Sequence, residues 1–147
     1  WRIMGQVFYA DPNKFVDQKR KTFLLESIIP FLEQHGIALY DTATSVERTQ
    51  GTAADSNLRI VEPTDIRSLL NRLPQCKAII TTGQLATQLL QKSLSLPTAP
   101  TLQQPVDCHI GQRTIRCHRL PSSSRRLMGT IQQKAQAYEK ILKQYYT

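Results

Sequence analysis

Apolar residues recur along the chain at helical spacing and predict four amphipathic helices. Between Lys21 and Gln34 they fall at i, i+4, i+7 and i+8. Similar stripes follow Asp65, follow Gly83, and lie within residues 127–146. The residues that form the stripes are Leu24, Ile28, Phe31, Leu32, Ile66, Leu69, Leu70, Leu73, Leu85, Leu89, Leu90, Ile131, Ala135, Tyr138, Leu142 and Tyr145. Each segment therefore predicts a helix with one buried face.

Capping residues mark where helices begin and end. Asp11-Pro12-Asn13 has the pattern of a helix start, with Asp11 as N-cap, Pro12 at the first helical position and Asn13 in the first turn. Asn13 would then lie at the positive end of a helix dipole. Gly36 is expected to end the next helix, and Pro30 predicts a kink or break within it.

Strand-like runs alternate with these helices. Residues 37–40 predict a strand that ends in Asp41, residues 77–82 predict a buried strand, and residues 107–120 predict a hairpin around Gly111-Gln112. The polar stretch 42–59 is expected to be a long working loop, and residues 93–107 another loop. This alternation predicts an α/β domain with a mostly parallel sheet, in which ligands bind at the carboxyl ends of strands.

Composition fits one domain, and the charge is concentrated near its end. The chain has 147 residues, 40% of them hydrophobic, and a formal net charge of +8. Residues 113–147 hold eight basic side chains and one acid, Glu139, whereas the first 112 residues hold 11 basic and 10 acidic groups. Five arginines lie between positions 113 and 126, as contact with a phosphate backbone requires. A solvated basic face kept for solubility explains the same charge equally well.

Cysteine usage and hydropathy bear on the compartment. Three cysteines are too few for a disulfide scaffold, and no hydrophobic leader is seen, which predicts a reducing, cytoplasmic location. The apolar runs fall far short of the roughly 20 residues that cross a bilayer, so no membrane partner is expected.

Standard catalytic and metal motifs are missing from the sequence. There is no Walker A loop, GxGxxG run, HExxH helix or GxSxG elbow. Cys108-His109 and Cys117-His118 are a candidate zinc site, but adjacent residues on a strand point to opposite faces. Core cysteines, surface histidines and no bound metal are therefore expected.

Three ordered segments carry a resemblance to a known family. Residues 6–15 read QVFYADPNKF, residues 36–43 read GIALYDTA with Glu47-Arg48 soon after, and residues 120–124 read LPSSS before a closing helix. The set resembles the uracil-DNA glycosylase superfamily, most closely its hypoxanthine-DNA glycosylase-like branch, whose runs read Q-Y-Y-x-H-P-x-N-x-F-W, G-I-x-L-W-D-V and L-P-S-T-S-P-A. The stretches 55–59 and 79–83 lie in the order expected for that branch, so the resemblance covers nearly the whole chain.

The resemblance implies a three-layer αβα sandwich with a mostly parallel central sheet, formed by one DNA glycosylase domain over residues 1–147. It implies base-excision repair: a monomeric hydrolase without metal or cofactor flips a deaminated base, uracil or hypoxanthine, out of DNA and cuts its N-glycosidic bond. Asn13 would aid base recognition and water placement, with Phe8, Tyr9 and Asp41 in the base pocket. The DNA-binding residues would be Leu120 as an apolar wedge, together with Arg119, Pro121, Ser122, Ser123, Ser124, Arg125 and Arg126.

Each of these residues has a plainer interpretation. The serine segment reads equally as a strand-to-helix turn with serine caps, the aromatic residues as core, and Asp41 as a helix cap or surface residue.

The sequence also departs from the branch. The branch has His at position 11, Trp at position 16 and Ser-Pro-Ala where Ser124-Arg125-Arg126 stand, which leaves the preferred base open. The family's first strand and its Gly-Ser-x-Pro-Gly loop have no counterpart, so we expect a chain that lacks its N-terminal strand. A catalytically inactive DNA-binding domain of the same fold, or a small α/β domain that binds a nucleotide or phosphate, are the alternatives.

Overall fold

A computed structural model describes residues 1–48, 58–124 and 129–146. The chain divides into unit 1, formed by Trp1–Leu39 and Pro121–Thr147, and unit 2, formed by Tyr40–Leu120. The elements in chain order are α1 (Arg2–Tyr9), β1 (Val16–Asp17), β2 (Thr22–Phe23), α2 (Leu25–His35), β3 (Ala43–Arg48), β4 (Leu58–Pro63), α3 (Ile66–Arg72), β5 (Ala78–Thr82), α4 (Gln84–Leu94), β6 (Val106–Ile110), β7 (Arg113–Leu120) and α5 (Ile131–Leu142). The expectation of a single domain stays a prediction.

The helix start predicted at Asp11 is wrong. Helix α1 lies before it, and Ala10 ends that helix in the left-handed conformation with φ 53°. The carboxylate of Asp11 instead accepts a hydrogen bond from the main-chain N–H of Asn13 at 2.8 Å. Asp11 therefore makes a local turn, which competes with helix formation because the same side-chain oxygen satisfies the backbone in either conformation. Asn13 follows a helix C-terminus and does not lie at the positive end of a dipole.

The core of unit 1 is built by aromatic and branched side chains. Phe15, Ile28 and Phe31 are buried together, and partly buried residues of α1 and α2 pack around them. Helix α2 continues through Pro30, so no break occurs there, and Gly36 ends it with φ 63° as predicted. Residues 37–41 form no strand, which corrects the strand expected before Asp41.

Helix α5 closes unit 1 and packs against α1. It begins four residues later than predicted, at a capping box in which the Thr130 hydroxyl accepts from the Gln133 N–H at 3.1 Å. The Gln133 side chain accepts from the Thr130 N–H at 2.9 Å, so two helix-end N–H groups are satisfied.

Unit 2 contains a three-stranded sheet in the order β5-β7-β6. Strand β5 is parallel to β7, with Thr82 opposite Leu120, and β6 is antiparallel to β7, as the predicted hairpin requires. Gly83 is the N-cap of α4. Asp65 is the N-cap of α3, and its carboxylate accepts a hydrogen bond from the Ser68 N–H. Leu70, Leu90, Ile115 and Cys117 are among the residues of its core.

The expected loop over residues 42–59 is in part a hairpin. Strands β3 and β4 pair antiparallel, and residues 49–57 between them lie outside the described part of the chain. The alternation of polar and apolar residues in these strands is weak, so sequence periodicity gave no strand signal.

The protein is mixed α/β, in agreement with the predicted class. Among the described residues, the β5–β7 pair is parallel, whereas the β1–β2, β3–β4 and β6–β7 pairs are antiparallel. The expectation of a mostly parallel sheet is therefore wrong for this part of the chain, because hairpins account for most of the pairing.

Gly5 is expected to be intolerant of a side chain. A Cβ at Gly5 would lie 2.4 Å from the main-chain oxygen of Asp11, where the turn passes over α1. We predict that Gly5→Ala lowers the free energy of unfolding by about 1–3 kcal/mol, as measured by urea denaturation. Gly36→Ala is the comparison. Its added Cβ would meet open space, so only the positive φ is unfavourable, and the free energy of unfolding should fall by about 1 kcal/mol. Equal stability of Gly5→Ala and the native chain would contradict this packing.

Candidate functional site

Asn13 lies on the exposed turn that follows α1. Its Oδ1 accepts a hydrogen bond from Nη1 of Arg2, and its own N–H is held by Asp11. Because Arg2 engages the amide oxygen, the Nδ2 group is the part of the amide presented as a donor. The turn therefore displays an oriented amide at the surface of unit 1.

Tyr9 lies beside this turn with 43% of its surface exposed. Nζ of Lys14 is 4.8 Å from the centre of the Tyr9 ring, within the range of a cation–π contact. The edge of the ring packs against Phe15 with centroids 5.8 Å apart. Tyr9, Asn13 and Lys14 are exposed, and Arg2 is half-buried beside them; we call these four residues the asparagine turn.

Phe8 faces a different direction from Tyr9, since neighbours on a helix point about 100° apart. Its ring packs edge-on against Phe31 at 4.9 Å and His35 at 4.8 Å. It also lines a cavity of about 610 Å³, whose other described lining residues are Val7, Gln34, His35, Glu139, Leu142, Lys143, Tyr145 and Tyr146. Neither Tyr9 nor Asn13 belongs to this described lining, so the structure does not bring Phe8 together with Asn13.

Asp41 belongs to unit 2 and is exposed. Its main-chain oxygen accepts from the hydroxyl of Thr64, and the Thr64 N–H donates to Thr42 at 3.0 Å. These bonds hold the main chain before β3, and the place of Asp41 in a base pocket stays a prediction.

Leu120 is the last residue of β7 and only 2% of its surface is exposed. A wedge must reach the base stack, and the Leu120 side chain is buried in the conformation described, so the wedge role stays a prediction. Its carbonyl accepts from the Gly83 N–H at 3.0 Å, which ties the end of β7 to the start of α4. Leu120 lies on the central strand of the sheet, where its Cα is opposite that of Thr82.

Residues 121–124, which we call the serine loop, follow β7 and belong to unit 1. The Ser124 N–H donates to the hydroxyl of Ser122 at 3.1 Å, and Ser123 is exposed. The hydroxyl of Tyr138 donates to the carbonyl of Pro121 at 3.0 Å, and Nζ of Lys134 donates to the carbonyl of Ser124 at 2.7 Å. Both ends of the loop are thus held by α5.

The arginine cluster is not a uniform surface. Arg113 donates to the carbonyls of Leu70 and Leu73 at 3.0 and 2.9 Å and so caps α3. Arg116 pairs with Asp107 at 3.0 Å. Arg119 is half-buried, and its Nε has no hydrogen-bond partner among the described residues. Arg125 and Arg126 lie outside the described residues.

The cysteine and histidine pairs do not assemble a metal site in the described part of the chain. Cys108 and Cys117 are core residues, as predicted, and burial raises the pKa of Cys117 to about 12, so its thiol stays protonated at neutral pH. His109 is exposed, but His118 is 4% exposed, which corrects the expectation of a surface histidine. His118 and Leu120 lie on the same face of β7, near the end of the strand, and both are buried.

Sequence analysis missed the roles of Arg2, Lys134 and Tyr138. Arg2 lies 11 residues from Asn13, and no local pattern links the two. Tyr138 was assigned to the buried stripe of α5, but its hydrogen bond was not foreseen. Lys134 did give a signal: it lies in the first turn after the Thr130–Gln133 capping box, where the helix dipole disfavours a cation.

Comparison of the chain with protein-family models, curated proteins and solved structures found no match. Among the described residues, no helix has both the length and the apolar character needed to cross a membrane.

The pKa of His118 generates a testable pH dependence. Burial lowers this pKa from 6.5, and the nearby charge of Arg116 lowers it further. The unfolded chain therefore binds the proton more tightly, so the free energy of unfolding should fall as the pH drops below about 6.5. We predict that His118→Asn flattens this part of the pH profile, measured by urea denaturation between about pH 8 and 5. His109→Asn, which removes an exposed imidazole, is the control, and equal profiles for the native chain and His118→Asn would refute the prediction.

Proposed function

We propose that the protein is a monofunctional DNA glycosylase that removes a deaminated base, uracil or hypoxanthine, from DNA. The asparagine turn is the observation that carries the proposal, because it displays an oriented amide, an exposed aromatic ring and the exposed cation Lys14 together. A flipped base needs a stacking surface and hydrogen bonds to its edge, and the DNA strand beside it needs positive charge. The ordered resemblance to the uracil-DNA glycosylase superfamily supports the same function.

The chemistry follows from the orientation of the Asn13 amide. An amide is not a general base at neutral pH, so Asn13 acts by position and electrostatics. The oxygen of a water molecule bonds to C1′ of the sugar as the C1′–N bond breaks, and the bonding electrons leave with the base. One proton of the water then neutralises the base, and the DNA keeps an abasic sugar. With its oxygen held by Arg2, Asn13 offers N–H donors to the charge that develops on the departing base.

The aromatic part of the site is assigned to Tyr9. Its exposed ring provides a face on which the flipped base stacks, while Phe15 packs against the edge of that ring from within unit 1. The serine loop contacts a phosphate through the exposed Ser123, while α5 holds the carbonyls of Pro121 and Ser124 at the two ends of the loop. The proposal includes the three-layer αβα arrangement implied by the resemblance, action as a monomer, and work on DNA in the cytoplasm.

The deciding measurement is a glycosylase assay on end-labelled duplexes that carry one deoxyuridine or one deoxyinosine, followed by hot alkali to cut abasic sites. We predict alkali-sensitive product from the native chain. Asn13→Ala should reduce the rate of base release at least tenfold and leave DNA affinity nearly intact, since it removes only interactions with the reacting base.

Asn71→Ala, which removes an exposed asparagine of α3, is the matched control and should retain full activity. Unchanged turnover in Asn13→Ala would remove Asn13 from the site. Absence of product from a folded chain that binds DNA would favour the inactive DNA-binding domain. Affinity for DNA that is insensitive to salt would favour the domain that binds a small phosphate ligand.

A further inference from the structure

Lys134 is a buried cation in an unfavourable position. Only 6% of its surface is exposed, although lysine is rarely buried without a partner. It lies in the first turn of α5, where its charge has the same sign as the helix dipole. Both its burial and its place in the first turn destabilise the folded protein, so we expect an interaction that compensates for these two effects.

The contacts of Lys134 lead to the serine loop. Its Nζ donates to the carbonyl of Ser124 at 2.7 Å, a charge-assisted hydrogen bond. Its stem passes beneath Gly129, where an added Cβ would lie 3.6 Å from Cε and 3.7 Å from Cγ. Lys134 is therefore hydrogen-bonded to Ser124 and lies near Gly129, the two described residues that flank residues 125–128.

Among the described residues of unit 1, which are 1–39, 121–124 and 129–146, no carboxylate forms an ion pair with Lys134. A carbonyl oxygen accepts one of the three N–H groups of the ammonium, but it carries no net negative charge. Burial of an ammonium without a counter-ion is costly, and an anion bound at the loop would supply that counter-charge.

We propose that Lys134 is a positioning residue for DNA binding. It holds the serine loop in its binding conformation and places a positive charge behind that loop, where the DNA phosphate is the counter-ion. The inference rests on the proposed function, because it assumes that the serine loop meets DNA. It deepens that function by assigning the electrostatic part of phosphate binding to α5 and not to the arginines of β7.

Tyr138 provides a neutral comparison for Lys134. Its hydroxyl holds the Pro121 carbonyl at the other end of the same loop, and burial raises the pKa of Tyr138 to about 12, so the hydroxyl remains a donor. Tyr138→Phe removes one anchor without a change in charge, whereas Lys134→Met removes an anchor and a charge.

The test is the salt dependence of binding to a short duplex with a tetrahydrofuran abasic analogue, measured by fluorescence anisotropy on the full chain. Loss of the positive charge behind the serine loop leaves about one phosphate less neutralised, so it should reduce the slope of log K against log salt by about 0.9 in Lys134→Met, with affinity reduced about tenfold at low salt. Tyr138→Phe should weaken binding less and keep the native slope, and Lys134→Arg should restore the slope. Lys143→Met, which removes an exposed lysine of the same helical region, is the control.

The outcomes separate this inference from the proposed function. Equal slopes for Lys134→Met and the native chain would overturn the role of Lys134, even if the native chain releases the base. A reduced slope in a chain that releases no base would support the role of Lys134 and refute the glycosylase. A native chain that binds no DNA would overturn both. If Lys134→Met does not fold, Lys134→Gln, which keeps a donor without the charge, gives the same comparison.

Discussion

The parallel pairing of β5 with β7 is the constraint on which the arrangement of unit 2 depends. It sets Thr82 opposite Leu120, so two strands end at the same edge of the sheet, and the Gly83 N–H continues the ladder into the start of α4. Parallel strands require a long connection, which α4 and β6 supply before β7 is reached. Strand β7 is then central, with neighbours on both sides and with both faces covered near its end. Burial of His118 and Leu120 follows from that position.

Several buried polar side chains in both units donate hydrogen bonds to main-chain carbonyls. In unit 2, the hydroxyl of Thr87 donates to the carbonyl of Gly83 at 2.7 Å, and that of Thr81 lies 2.8 Å from Thr87. In unit 1, Tyr138 and Lys134 donate to carbonyls of the serine loop. An unpaired carbonyl in such a place would cost about 1–3 kcal/mol, so these bonds hold loops and helix starts in one conformation. The side chains that hold the serine loop, Tyr138 and Lys134, therefore differ from Ser123, which the loop exposes.

Not all of the basic side chains that make up the net charge of this protein are available to a ligand. Arg113 and Arg116 use their guanidinium groups within unit 2, on a helix end and on Asp107, although the sequence groups them with the phosphate-binding candidates. Lys134 lies beneath the serine loop, and Arg2 orients the amide of Asn13. The proposed chemistry thus relies on cations distant in sequence from the side chains that they position.

The sequence by itself determined the elements whose signals are local. The helix stop at Gly36, the α3 start at Asp65, the strand over residues 78–82 and the hairpin around Gly111 follow from capping, glycine and short apolar runs. The sequence did not determine whether Asp11 begins a helix or follows one, because an Asx turn and an N-cap use the same residue types. Tertiary structure alone decided that Leu120 is buried and that Arg2 and Lys134 reach Asn13 and Ser124. Those outcomes depend on contacts between residues far apart in the chain, which residue type and local spacing do not encode.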